Sequence, residues 1–118
     1  MYDQTIAAIA SSYIKEGKEE KAVEVLTDSV KNGQAGPETY FILGTVQLTK
    51  GSLPEAEAAL LESIKQNPVF HQAHYQLALV YISLQNAEAA KEHASKAVQL
   101  NPDEKVFLEL LDKIDEFS

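Results

Sequence analysis

Cysteine, arginine and tryptophan are all missing from this 118-residue chain, which holds only five glycines and four prolines. Without cysteine there is no disulfide, no thiolate metal site and no cysteine nucleophile. Without arginine the planar fork that grips phosphate is missing, and all ten basic residues are lysine. Eighteen Asp and Glu bring the net charge to −8, so no basic stripe is available to follow a nucleic-acid backbone. No apolar run approaches the roughly 18 residues that a membrane-spanning helix needs, and no membrane insertion is expected. The start, Met1-Tyr2-Asp3-Gln4-Thr5, has neither the basic residues nor the apolar stretch of a signal peptide. The expected setting is the cytoplasm, or else the chain is a segment of a longer exported or membrane-associated protein.

What remains is ordinary for a folded protein. Apolar residues make up 45% of the chain and charged residues 24%, which is globular usage, and the length suits one domain over 1–118. The informative signal is a period. Ala22, Ala56 and Ala90 stand 34 residues apart, as do Tyr13, Gln47 and Tyr81, and Ile9, Leu43 and Leu77. Asn67-Pro68 and Asn101-Pro102 keep the same interval. The chain therefore divides into units of about 3–36, 37–70 and 71–104, with a tail of about 105–118.

Each unit reads as two helices. Periodicity predicts helices over about 3–16 and 19–31, 37–50 and 54–66, and 72–84 and 87–100. Pro37 suits a first helical position, and Gly17 and Gly51 supply breaks. In the third unit Gln85 takes the glycine slot, and Asn86 is expected to provide the turn conformation there. Prolines 68 and 102 push the preceding asparagines out of the helical region and stop the second helices.

This pattern resembles the tetratricopeptide repeat, whose 34-residue signature runs W-x2-L-G-x2-Y, then A-x3-F, then P. The second unit matches at Tyr40, Leu43, Gly44, Ala56, Leu60 and Pro68. The third offers His74, Leu77, Ala78, Tyr81, Ala90, Ala94 and Pro102, and the first Ile6, Ile9, Ala10, Tyr13, Ala22 and Leu26. The resemblance implies an all-α fold, a right-handed α-solenoid of three antiparallel helix pairs. Small residues at 10, 44 and 78 and at 22, 56 and 90 would let paired helices approach, while Leu43, Leu60 and Leu77 fill the spaces between. Residues 105–118 read as a seventh, capping helix. Val106, Leu110, Lys113 and Phe117 lie near one line of it, with Phe107, Leu111 and Ile114 beside them, and residues 103–118 hold six acids against two lysines.

Little points to catalysis or metal binding. His71 and His74 form the one metal-like spacing, yet His74 sits where the family places a packing aromatic, and His93 stands alone on another helix. There is no G-x-S-x-G motif. Glu19-Glu20, Glu55-Glu57 and Asp115-Glu116 read as helix starts or solvent faces. No enzyme activity, metal or cofactor is expected.

The first helices carry an apolar stripe beyond what pairing requires. It comprises Phe41, Thr45 and Leu48, repeated as Tyr75, Leu79 and Ile82 and as Ala7, Ser11 and Ile14. In tetratricopeptide proteins these helices line the concave face, so the resemblance places these columns in a groove, with Gln4, Glu38 and Gln72 along one edge. The expected function is a protein–protein interaction module, an adaptor or scaffold. It would hold a peptide or amphipathic helix of another protein. Phe41 and Tyr75 are its candidate anchors. The alternative is self-association into a homo-oligomer. A carboxylate-clamp chaperone adaptor is disfavoured, because the matching slots hold Ala7, Ser11, Ile42, Gln72 and Gln76, none of them cationic. Deleting 105–118 should lower the melting temperature by exposing the apolar surface under the cap, at about 25 cal/mol per Å². An unchanged melting temperature would make the segment a tail.

Overall fold

In the computed structural model, which describes residues 2–117, seven helices follow one another, and no strand occurs among the described residues. The first pair is α1 (Tyr2–Lys15) and α2 (Glu19–Lys31), the second α3 (Pro37–Thr49) and α4 (Leu53–Gln66). The third is α5 (His71–Ser83) and α6 (Ala87–Leu100), and α7 (Lys105–Phe117) closes the array. The side chain of Phe117, and Ser118, both expected on the last helix, lie outside the described residues.

Within each pair, small residues let the helix backbones meet. Ala10 and Ala78 are fully buried, and so are their counterparts Ala22, Ala56 and Ala90. At Gly44 the approach leaves no room for a side chain. A Cβ there would lie 2.6 Å from Leu60 Cγ and 3.3 Å from the Ala56 carbonyl oxygen. Leu26, Leu60 and Leu77 fill the remaining space and are fully buried. One apolar cluster joins Ala10, Ala22 and Leu26 of the first unit to Leu43 and Ala59 of the second. Another runs from Ala56 and Leu60 through α5 and α6 to Ile114 of α7. Successive units thus share their cores, as a solenoid must.

The repeat is strict in sequence but not in exposure. Leu43 and Leu77 are 8% and 0% exposed, whereas Ile9, in the same slot, is 44% exposed. Ile9 lies on α1, the first helix among the described residues, whereas Leu43 packs into a cluster with Ala10, Ala22 and Leu26 of the preceding unit. At the other end Phe107 and Ile114 are buried, while Val106 and Leu108 stay exposed.

Each first helix ends in the same closure. In the third unit the amide of Gln85 bonds the Ile82 carbonyl and that of Asn86 bonds Tyr81, as Gly51 and Ser52 bond Leu48 and Gln47. The left-handed residue of that turn is Gln85, at φ 61°, and not Asn86 as the sequence implied. Asn86 has φ −107° and instead accepts from the Ala89 amide, capping α6. Its side-chain oxygen serves better as an N-cap, and the neighbouring glutamine takes the strained conformation, at roughly 1–2 kcal/mol.

A part-buried polar cluster around Asp3 ties the first unit to the second. Pro37 opens α3, and its N-cap, Gly36, has no side chain to satisfy the first amides. Asp3 of α1 supplies the cap from another helix. Its carboxylate accepts from the amides of Gly36 (2.9 Å), Glu38 (3.0 Å) and Thr39 (2.8 Å). A side chain at residue 36 would collide with it, since a Cβ there would lie 2.6 Å from Asp3 Cγ. Burial pushes the Asp3 carboxyl up, but the hydrogen bonds from Thr39, Glu38 and Gly36 together outweigh it and hold the pKa below the usual aspartate value. Asp3→Ala should cost about 1–2 kcal/mol, as for loss of a helix cap. Because the folded carboxyl is the stronger acid, the gap between wild type and variant should be full above about pH 4. It should shrink as pH falls through the depressed pKa. Paired denaturation curves at pH 7 and pH 3 check this, and an equal gap at both would assign the effect to packing.

Candidate functional site

The first helices α1, α3 and α5 present the stripe picked out in the sequence, and the 34-residue register continues onto α7, where Glu109, Lys113 and Glu116 take the same columns. Phe41 and Tyr75 are half-buried and do not stand free. Phe41 packs on Phe70, which precedes α5, with ring centroids 4.9 Å apart. Tyr75 packs on Phe107 of α7 at 5.1 Å, and His71 meets the same ring at 5.6 Å. Each aromatic is therefore wall as well as surface, cemented to the element that follows it.

The other stripe residues divide by exposure. Ala7 is only 7% exposed, the least of the expected lining. Ser11, Thr45, Leu48 and Leu79 are half-buried, and Gln4 and Gln72 are exposed. The Thr45 hydroxyl is already used, donating to the Phe41 carbonyl at 2.8 Å. Ile14 and Ile82 are the most available apolar groups, at 37% and 42% exposure.

The structure gathers these residues into two hollows. One, of about 370 Å³, brings together Ser11, Ile14, Phe41 and Thr45, with Ile42 and Val46 beneath and Lys15 and Glu19 at its lip. The second, of about 500 Å³, joins Leu79 and Ile82 to Ala87, Ala90, Leu110 and Ile114, with Lys113 at its mouth. Gln4, Leu48, Gln72 and Tyr75 line neither. The share of α7 in the second hollow was missed in the sequence, although the period, carried one step further, pointed to it.

A polar cluster fills the face of α5 turned toward α6. His93 is not alone, since its Nδ1 lies 3.2 Å from Nδ1 of His74. His74 Nε2 lies 3.1 Å from the Pro68 carbonyl, which can only accept. His74 therefore carries its proton on Nε2, and the neutral pair is closed by an Nδ1–H of His93 donating to His74. Tyr81 stacks on His93 at 5.6 Å and donates to Glu57 Oε2 at 2.7 Å. Glu57 is thus a partner for Tyr81, not a solvent-face carboxylate. Burial, then the bond to Glu57, pushes the Tyr81 hydroxyl up to about 12. Burial holds both histidines below the usual range, and His74 further lowers His93. The i, i+3 pair read from sequence does not meet on a ligand, because His71 packs on Phe107 instead. No group of three metal-ligating side chains occurs among the described residues, and no helix there is long and apolar enough to cross a membrane.

Stacked helical hairpins with a shared core, small residues at each crossing and a column of first helices on one face define an α-solenoid. A family model described as tetratricopeptide repeat matches residues 7–68 and again 43–105, and the chain belongs to that family. Among solved structures it is similar to MamA, at 26% identity and a TM-score of 0.88, over 96% of this chain and 66% of that one. The chain thus spans just under two thirds of the length of MamA. It is also similar to the second TPR domain of human RPAP3, solved in complex with the HSP70 peptide SGPTIEEVD. There identity is 21%, TM-score 0.85, and coverage 96% of this chain and 94% of that one. A third likeness is to YrrB, described as a TPR protein with an unusual peptide-binding site, at 23% identity and a TM-score of 0.79, over 91% of this chain and 55% of that one. No curated protein matches the chain in sequence.

The histidine pair makes stability sensitive to mild acid. Both rings are weaker bases folded than unfolded, so their contribution is complete above the unfolded value of about 6.5. It is lost as pH falls through the lower folded values. Melting temperature should therefore fall between pH 7 and pH 5.5 in the wild type and much less in a His74→Phe/His93→Phe double variant. Parallel curves would show that the pair does not titrate in this window.

Proposed function

We propose that residues 1–118 act as one protein-interaction module, an adaptor or scaffold that holds a peptide or amphipathic helix of another protein against its first-helix face. The observation that carries this reading is the exposure of Ile14 and Ile82, which line two apolar hollows on the first-helix face. Aliphatic groups left open beside preformed hollows are what a partner's side chains bury. Peptide complexes of proteins with this fold support the reading at the level of architecture. An acidic peptide such as the HSP70 peptide in the RPAP3 complex is a poor fit, because slots 7, 11, 42, 72 and 76 bear no cation. The second reading, self-association, is favoured by two exposed apolar side chains of α1, Tyr2 at 67% and Ile9 at 44%.

Ile14→Lys/Ile82→Lys should leave the melting temperature within a few degrees of wild type and weaken partner capture. Each lost hot spot is worth about 2 kcal/mol, roughly thirtyfold. Phe41→Ser/Tyr75→Ser, by contrast, should lower the melting temperature, since each ring supports a neighbour. Partner capture and thermal melts on both double variants, with light scattering at two concentrations, separate the readings. Undiminished capture by the lysine variant would move binding to another surface. A mass that doubles with concentration and returns to monomer in Ile9→Lys would favour self-association.

A further inference from the structure

The two hollows are the same hollow, repeated. Leu79, Ile82, Leu110 and Ile114 stand two 34-residue periods after Ser11, Ile14, Ile42 and Val46, and Ala87 likewise stands after Glu19. One slot thus holds Glu19 in the first unit, Leu53 in the second and Ala87 in the third. Neither hollow extends to Leu53, which is half-buried. A leucine there supplies the bulk that alanine lacks and that a glutamate turned to Lys50, 3.7 Å away on the surface, does not provide. Each hollow also carries an exposed lysine, Lys15 at the first and Lys113 at the second.

We infer that the chain binds one extended segment of a partner protein through two large apolar side chains. One seats in each hollow, with a carboxylate beside each anchor for Lys15 and Lys113. Leu53 is the plug that keeps the middle position closed and so sets the spacing. This rests on the groove reading and adds to it the number, separation and chemistry of the anchors. Neighbouring helices pack about 8–10 Å apart, so two steps place the hollows about 16–20 Å apart. An extended chain rises about 3.3 Å per residue, so the two anchors stand about 5–6 residues apart.

Synthetic Gly-Ser peptides test this, carrying either one Phe-Asp pair or two pairs set about 5–6 or about 2 residues apart. The matched two-anchor peptide should bind at least tenfold more tightly than the other two, since its second contact is intramolecular. Ala87→Leu and Glu19→Leu copy the plug of the middle unit into either hollow. Each should reduce the matched peptide to single-anchor affinity while keeping the wild-type circular dichroism spectrum. Lys15→Glu and Lys113→Glu, both on exposed side chains, should weaken it severalfold without touching packing. Equal affinity for one-anchor and two-anchor peptides, no binding by any of them, or full affinity in both plugged variants would overturn the inference. If the single-anchor peptide still loses affinity in Ile14→Lys/Ile82→Lys, the groove stands and only the paired anchors fall. If that variant binds every peptide as wild type does, the groove reading itself fails.

Discussion

Everything in this molecule depends on how closely two helix backbones can approach within a unit. At Gly44 the space for a single methyl group is already taken by Leu60. Moving α3 away from α4 to accommodate one would open the core that both neighbouring units share, because a packed interior tolerates little added volume. The alanines at 10 and 78, and at 22, 56 and 90, hold the same approach in the other pairs. With the small residues spent on the crossings, the larger side chains of the first helices fall on the flanks. Those flanks become the candidate binding face.

The face is therefore a by-product of pairing that differences between the units have tuned. Where the repeat is kept, as at Leu43 and Leu77, the side chain is buried and structural. Where it is broken, local properties appear. Glu19, Leu53 and Ala87 differ at one slot, and the two hollows include Glu19 and Ala87 but not Leu53. Gln85 replaces a glycine and accepts a left-handed backbone so that Asn86 can cap the next helix. His74 replaces a packing aromatic and brings a titratable pair into the third unit.

Two polar devices give the array directions that the apolar core alone does not fix. Asp3 reaches from the first helix to the start of the third and sets how the first unit sits on the second. Glu57 receives Tyr81 across the joint between the second and third. Hydrogen bonds of this kind are worth more for orientation than for energy, since unpaired amides at a helix start are costly only when water cannot reach them.

The sequence by itself determined the elements, the period and the class of fold. Helix limits read from Pro37, Asn67-Pro68 and the apolar spacing fall within a residue or two of those observed, because caps and breakers act locally. The stripe on the first helices was equally legible, including Ile14 and Ile82. Only the tertiary structure decided what each stripe residue does. Ala7 is covered, Phe41 and Tyr75 are backed by Phe70 and Phe107, and α7 completes the second hollow. The meeting of His74 with His93, and of Asp3 with the amides of residues 36, 38 and 39, was likewise invisible. These contacts join residues 19 to 36 positions apart, or depend on the neighbours that stacking supplies. A 34-residue pattern names the slot a side chain occupies, but not what the next unit places against it.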